Sequence, residues 1–482
     1  MAQMFFAHPA EPVTLKSRRL MFKKTKVVAT LGPASNSEQA IRKLMESGMN
    51  VVRLNLSHGT HEDHHAVVKR VRKIASQLKQ PIAIMADTPG PALRTGDLRE
   101  DFVQLEAGRE LTLTEDLILG DATQISIDHK GCLKLLKPGM DVLLANGDIR
   151  LKVREVKKSE VVCIIQNSGI LGGRKRVNFP EIDIPMELHD DTNIDFAMEL
   201  GADYLAASFV QRASDVKQIQ KRLLGSEIGV VAKIETRESV KNIDEIIDAS
   251  DGVMVARGDL GVELPFQMVP RVQKQIVQKC NRKGKPVIIA TQMLKSMTDN
   301  PTPTRAEVAD VANAILDGTD AVMLSEETAI GKYPVEAVAV MVQIAHEMEQ
   351  EESVYHRYRG EHAGVTEAIG ESACDVAEKI GAAAIIPSTT SGSTAKLVAK
   401  FRPRIPIVAV TYSEKSMNKL ALVWGVLPVL VEYFNDTDKM LAHSIQAASA
   451  AMKLPKGSTV IMTAGVPFGV SGTTNLIKVE HV

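Results

Sequence analysis

Cations and acids of a particular kind stand where short apolar runs of this chain give out. Arg53 follows Val51-Val52, with Asn55, Ser57 and His58 just behind it. Asp87 and Thr88 end the run that starts at Gln80, and Arg94 is close by. Lys233 and Glu235 close the run from Gly229, Arg257-Gly258-Asp259 continues Gly252–Val255, Thr291 and Gln292 follow Pro286–Ala290, and Ser325, Glu326 and Glu327 follow Ala321–Leu324. Asp87, Glu235 and Asp259 can hold a hard divalent cation, which takes one or two carboxylates and fills its shell with water and substrate oxygens. Arg53, Arg94 and Lys233 can hold phosphate. Phosphoryl transfer asks the protein for positioning and charge stabilisation more than for covalent chemistry, so this mixture favours a phosphorylated or enolate substrate over hydride transfer. Neither a GxGxxG after a strand-like run nor a GxxxxGK[ST] loop is present, so a dinucleotide fold and a Walker-type loop are both unsupported. Plainer readings stand beside these. Lys233 and Glu235 share one face of a strand and can be a structural ion pair; Arg257 can cap Asp259; Thr291 can be an ordinary β-branched strand end. From the residues alone, the reading stops at a metal-assisted barrel enzyme acting on an anionic substrate.

The elements that must position these groups follow from periodicity. Lys26–Thr30 and Val51–Asn55 read as strands, separated by the Gly32-Pro33 break and a helix over roughly 37–48 that Ser35 or Ser37 can cap. With Gln80–Asp87, Tyr204–Phe209, Gly229–Ile234, Gly252–Val255, Pro286–Ala290 and Ala321–Leu324, the count reaches the eight parallel strands that close a (β/α)8 TIM barrel. In such a barrel the functional groups gather at the C-terminal strand ends. Between Pro89 and Pro185 the helical period fades, and short runs at Glu110–Leu113, Asp141–Leu144, Leu151–Val153 and Val161–Ile165 predict a small inserted β-barrel domain. A polar stretch near 350–366 reads as a hinge, after which strands at Ala383–Ile386, Ile407–Val410 and Thr459–Met462 predict a separate α/β domain. The expected division is residues 1–88 with 186–350 for the barrel, 89–185 for the insert, and 351–482 for the C-terminal domain.

Bulk properties exclude some classes. A formal net charge of -1 gives no global field toward nucleic acid or an anionic membrane, so anion binding must be local. The four cysteines, Cys132, Cys163, Cys280 and Cys374, are far apart and read as apolar filler in a reducing compartment. Glu11 and the prolines of the first residues interrupt any signal-peptide run, and no uncharged stretch approaches the ~18 apolar residues of a spanning helix. A cytoplasmic location is expected.

Longer motifs carry more. TKVVATLGPAS (25–35), MNVVRLNLSHG (49–59), VAKIETRESVKNIDEI (231–246), SDGVMVARGDLGVELP (250–265), GKPVIIATQMLKSM (284–297) and the segment 300–334 around AILDGTDAVMLSEETA resemble the pyruvate kinase family, in its order and spacing. TTSGSTAKLVAKFRP (389–403), WGVLPVL (424–430) and GTTNLIKV (472–479) resemble its regulatory domain. The resemblance implies phosphoryl transfer between phosphoenolpyruvate and ADP, giving pyruvate and ATP in glycolysis. It implies that Lys233 stabilises the phosphoryl group and the enolate, and that Glu235 and Asp259 hold Mg2+ or Mn2+. Arg53 and Arg94 would contact phosphate, and Thr291 would serve protonation of the enol. Asn55, Ser57, Asp87 and Thr88 would hold K+. The peptide N–H groups around Ala256, Arg257 and Gly258 would hold the substrate carboxylate. The nucleotide would meet Asn55, His58, Arg94 and Lys175, with Asn178 near it. A homotetramer is likewise implied.

The chain departs from the family where Pro89 and Ala92 replace Lys and Glu, where Ala145-Asn146-Gly147 replaces DDG, and where Glu326 replaces Gly or Ala. Ser388, Thr389, Thr390, Ser391, Gly392, Ser393 and Thr394 follow a strand and precede a helix. Such a hydroxyl-rich loop can be a phosphate nest or an ordinary N-cap loop. The resemblance implies the nest, for a phosphorylated effector, completed by Pro467–Thr473. Two other readings remain: an aldolase or lyase on a pyruvate-type barrel, and a weakly active paralogue that binds a sugar phosphate as a regulator.

Overall fold

The computed structural model describes residues 22–90, 93–180, 182, 191–355, 364–433, 436–465 and 474–482. Eight parallel strands close a barrel in sequential order: β1 (Lys26–Thr30), β2 (Val51–Asn55), β3 (Ala83–Asp87), β4 (Tyr204–Ala207), β5 (Gly229–Ile234), β6 (Gly252–Ala256), β7 (Val287–Ala290) and β8 (Ala321–Leu324). All eight expected strands are present, with ends shifted by at most three residues. Their apolar composition follows from burial on both faces. Alternate residues face opposite ways: Val28, Val51, Ala83, Met85, Tyr204, Ala206, Val231, Met254, Ile288, Ala290, Ala321 and Met323 fill the lumen. Their neighbours, such as Val27, Val52, Ile84 and Val253, pack on the surrounding helices.

Of the two expected caps, Ser37 is the one used. Ser37 caps Glu38–Glu46 by accepting from the Ala40 N–H, and Thr60 with Asp63 forms a reciprocal box on His61–Leu78.

Between β3 and β4 lies the β insert. Its seven-stranded sheet runs in the order Leu93–Arg94, Arg176–Asn178, Asp141–Leu144, Ile149–Val156, Glu160–Ile165, Glu110–Thr114, Gln124–Ser126. Gly169–Gly172 pairs with Phe102–Leu105 as a separate ribbon, and both sheets enclose one core around Leu111, Leu144, Leu151 and Leu171.

Among the described residues the C-terminal domain has five strands, ordered Val426–Leu430, Ile407–Thr411, Ala384–Pro387, Thr459–Gly465, Thr474–His481. Only the last is antiparallel. Val426–Leu430 and Thr474–His481 are strands that periodicity alone does not reveal, because neither alternates cleanly. Residues 356–363, within the expected hinge, lie outside the described residues; before them Glu352–Tyr355 forms a 3-10 turn.

The C-terminal domain stops the bottom of the barrel. Ala421 and Leu422 belong to the lumen cluster. The Tyr204 hydroxyl donates to the Lys419 carbonyl at 2.9 Å, and Lys24 Nζ donates to the carbonyls of Pro403 and Arg404 at 2.7 and 2.6 Å. Arg402 pairs with Asp320 at 3.0 Å over the Trp424 ring. The opposite, C-terminal end of the strands stays open to the insert.

Candidate active site

The top layer of the lumen is polar, and parity along the strands explains it. Thr30, Arg53, Asp87 and Lys233 each lie two residues beyond an apolar lumen residue (Val28, Val51, Met85 and Val231), so they point inward as well. Ser208, two beyond Ala206, joins them. Arg53 Nε donates to Asp87 Oδ2 at 2.6 Å and its Nη1 to Thr30 Oγ1 at 3.0 Å. Lys233 Nζ donates to Asp87 Oδ1 at 3.0 Å and to Ser208 Oγ at 2.7 Å, and pairs with Glu235 Oε1 at 3.0 Å. Asp87 and Glu235 are each 1% exposed. Buried charges of this kind persist only when paired. Burial pulls the Lys233 ammonium down, but Asp87 and Glu235 outweigh it and hold it above the ordinary lysine value. Burial would raise Asp87; Arg53 and Lys233 more than reverse this and keep it ionised. Glu235 differs: burial pushes its carboxyl up to about 7, against the pull of Lys233 and with the push of Asp259.

Glu235 is also held by the Phe209 N–H, which donates to Oε2 at 2.8 Å. Phe209 sits at φ 57, and its ring covers Gly90 so closely that a Cβ there would lie 2.0 Å from Cδ2. Only glycine fits under that ring. Asp259 stands in the first turn of the helix Arg257–Glu263, directly after β6. Its partner is Arg176 of the insert, not Arg257. Arg257 instead donates to Asp310 at 2.7 Å and to the Thr291 carbonyl at 2.9 Å, so the capping of Asp259 by Arg257 is corrected. The cause is direction: Arg257 points out of the barrel toward the helix Arg305–Leu316, away from its neighbour in sequence. Thr291, at φ 70, accepts from the Gly258 N–H at 2.7 Å and donates to the Ala290 carbonyl at 2.6 Å. A β-branched residue in the left-handed region is strained, and such strain gathers at working sites.

Asn55 and Asp87 are register partners on β2 and β3. Asn55 Oδ1 accepts from the Ser57 N–H at 3.2 Å, and the Thr88 hydroxyl donates to the Ala206 carbonyl at 3.3 Å. His58 is exposed beside them, its carbonyl 2.9 Å from His64 Nε2. Arg94 is not brought into the cluster. Its exposed guanidinium donates to the Arg174 carbonyl at 3.2 Å, while Arg176, its register partner, reaches the barrel. Lys175 is exposed, and Asn178 donates to Glu263 at 3.1 Å. The turn Ala145–Gly147 packs on the helix Arg257–Glu263. Pro89 is described, Ala92 lies outside the described residues, and Glu326 pairs with Lys295.

In the C-terminal domain, 388–394 joins Ala384–Pro387 to the helix Ser393–Lys400. The Gly392 N–H donates to Thr389 Oγ1 at 3.0 Å, Ser391 Oγ to Ser393 Oγ at 3.3 Å, and Tyr412 Oη to Thr390 Oγ1 at 3.1 Å. Thr394 meets Thr474 at 2.9 Å, and Ser388 N–H bonds the Thr463 carbonyl. The loop 467–473 lies outside the described residues.

Two acids, Glu235 and Asp259, fit a hard cation that draws its other ligands from water and substrate. Among the described residues no group of three or more His, Cys, Asp or Glu forms a complete protein cage. Glu235, buried and pushed up, is a carboxylate that an added positive charge would suit. Ser208, Asp310 and Arg176 are the site residues that sequence reasoning missed. Parity could have found Ser208; Arg176 stands between Lys175 and Asn178, and only the insert's docking singles it out.

The model of the pyruvate kinase barrel domain matches residues 22–338, and that of the pyruvate kinase alpha/beta domain residues 367–480. A pyruvate kinase of Clostridium acetobutylicum is 44% identical over 95% of this chain and 99% of its own length. One from Geobacillus stearothermophilus is 46% identical over 96% of this chain and 81% of its own. A crystal structure of a pyruvate kinase from Cryptosporidium parvum superposes with a TM-score of 0.89 at 35% identity, covering 95% of this chain and 96% of that one. The chain belongs to the pyruvate kinase family and has that family's enzyme activity.

Proposed function

We propose that the chain moves a phosphoryl group from phosphoenolpyruvate to ADP at the open end of the barrel. The observation that carries this reading is the charged Lys233 ammonium, fixed between Asp87, Glu235 and Ser208 at the top of the lumen. A donor already aligned in a dry site stabilises charge as it develops on the group in flight, without reorganisation at the moment of reaction. Arg53 would bind the phosphoryl oxygens beside it. The N–H groups of Ala256, Arg257 and Gly258 would take the carboxylate, with Gly258 exchanging the Thr291 hydroxyl for substrate. Thr291, thus released, would serve proton delivery to the enol carbon. Glu235 and Asp259 would hold Mg2+ or Mn2+, which when bound neutralises charge on the phosphoryl oxygens. Asn55, Ser57, Asp87 and Thr88 would hold K+, with Asp87 shared with Arg53 and Lys233. Asn55, His58, Arg94 and Lys175 would line the nucleotide's path, and the insert, residues 89–185, would close over it and exclude water.

The loop 388–394 would take a phosphorylated effector. It leaves the C-terminal end of the strand at which the sheet order reverses, the position where open α/β sheets bind ligands. A homotetramer, a cytoplasmic location and a division at residues 88, 185 and 350 complete the reading. The test is ADP-dependent pyruvate formation from phosphoenolpyruvate in a coupled assay, with and without K+, for wild type and Lys233→Met. Turnover in wild type that is lost in the variant supports the reading. Lyase activity without ADP dependence, or sugar-phosphate binding without turnover, refutes it.

A further inference from the structure

Arg176 lies on the short strand Arg176–Asn178 of the insert and bonds the Asp259 carboxylate at the barrel mouth. Its side chain is 16% exposed, and its guanidinium carbon sits 4.6 Å from the centre of the Phe209 ring. Phe209 in turn holds Glu235 through its N–H. One arginine from the insert therefore bonds one of the two carboxylates assigned above to a divalent cation and acts electrostatically on the other. Two residues along, Asn178 bonds Glu263 on the helix that carries Asp259. Of these two polar anchors of the insert on that helix, one uses an acid that the cation also needs.

We propose that Arg176 is a resident counter-cation of the metal site. It holds the insert onto the barrel while no divalent cation is bound, and it gives up Asp259 when one binds. The proposal rests on the reading of Glu235 and Asp259 as cation ligands. The physical ground is repulsion. A guanidinium and a divalent cation at the same carboxylate lie within a few ångströms of each other, at the mouth of a largely dry lumen where like charges interact strongly. Stacking on Phe209 keeps the displaced guanidinium at the mouth, where its next partner is an anionic group of the bound substrate. Arg176 thus weakens cation binding to the free protein and opposes it less once phosphorylated substrate is present. By reciprocity, the cation and the closed insert oppose each other until substrate arrives.

The test measures Mn2+ binding to the full chain without substrate, by electron paramagnetic resonance of free Mn2+, for wild type, Arg176→Gln, Arg176→Lys and Asp259→Asn. Thermal melts check that each variant is folded. Arg176→Gln should bind Mn2+ about fivefold more tightly or better, the lower end of ordinary coupling between sites, and Arg176→Lys, which keeps the charge, should stay nearer wild type. Hydrogen exchange at Arg176–Asn178 should quicken in Arg176→Gln, and in wild type when Mn2+ alone is added. Unchanged or weaker Mn2+ binding by Arg176→Gln overturns the proposal, as does exchange in wild type that Mn2+ leaves unaltered. The ligand reading is judged separately: if Asp259→Asn binds Mn2+ like wild type, that reading fails; if it loses Mn2+ while Arg176→Gln matches wild type, only the counter-cation role fails.

Discussion

Lys233 shows how far single residues can be read. Its place next to Glu235 on one strand face follows from the period of two, and both are found within 3.0 Å. Replacing it with methionine removes an aligned donor, so kcat should fall by at least about 10²- to 10³-fold. Melting temperature should fall too, since Glu235 would lose the ammonium paired with it while Asp87 keeps Arg53. Gly90 is a second test at this scale. An alanine Cβ would lie 2.0 Å from the Phe209 ring, so Gly90→Ala must displace that ring and loosen the N–H that orients Glu235. Overpacking of this sort costs about 1–3 kcal/mol; denaturant melts should show that loss, and steady-state kinetics a higher requirement for divalent cation. Unchanged values for both would place Phe209 outside the machinery. Gly90 is not legible as special from sequence, because what it approaches lies in the turn that follows the next strand of the barrel.

Among the elements, β1 connects the domains. Lys24 and Lys26 enter the barrel bottom and donate to carbonyls of the C-terminal domain, Lys26 to Val426 at 2.7 Å. Burial pulls Lys24 down to about 7 and Lys26 to about 8, with Glu349 opposing both. The sign follows directly. From those values up to the ordinary lysine pKa near 10.4, the unfolded chain binds more protons than the folded one, so their contribution to stability grows as pH rises from about 7 toward 10. Thermal melts at pH 7 and pH 9 should therefore show a larger gain for wild type than for Lys24→Met. An equal gain would mean that Lys24 stays charged in the fold. Nothing local to Lys23-Lys24-Thr25-Lys26 marks these lysines for burial, because the domain that buries Lys26 lies 400 residues away.

At the scale of the whole molecule, the C-terminal domain closes the barrel floor through Arg402 and Asp320, which are 4% and 8% exposed as side chains. The pair is asymmetric. Asp320 also accepts from the N–H groups of Val287 and Trp424, whereas the other hydrogen bonds of Arg402 go to two neutral acceptors, the Asn281 oxygen and the Gly318 carbonyl. Asp320→Ala strands a buried guanidinium and should cost about 3–5 kcal/mol. Arg402→Met leaves the acid with its N–H donors, and should cost clearly less in the same denaturation experiment. The reverse order would show that the aspartate, not the arginine, depends on the pair.

Closing the floor and covering the mouth of the barrel are where local pattern gives way to packing. The barrel's eight strands, the cap at Ser37 and the inward parity of Arg53, Asp87 and Lys233 were set by the sequence itself, because each depends on neighbours within a few positions or on a fixed backbone period. Metal-assisted chemistry on an anionic substrate was legible for the same reason, while phosphoryl transfer came with the resemblance of the longer motifs. The pairing of Arg257 with Asp310, the reach of Arg176 to Asp259, the near-miss of Arg94 and the burial of Lys24 were decided only in three dimensions. Each joins residues from separate elements, and the side chain's direction and the dielectric around it exist only once those elements have packed.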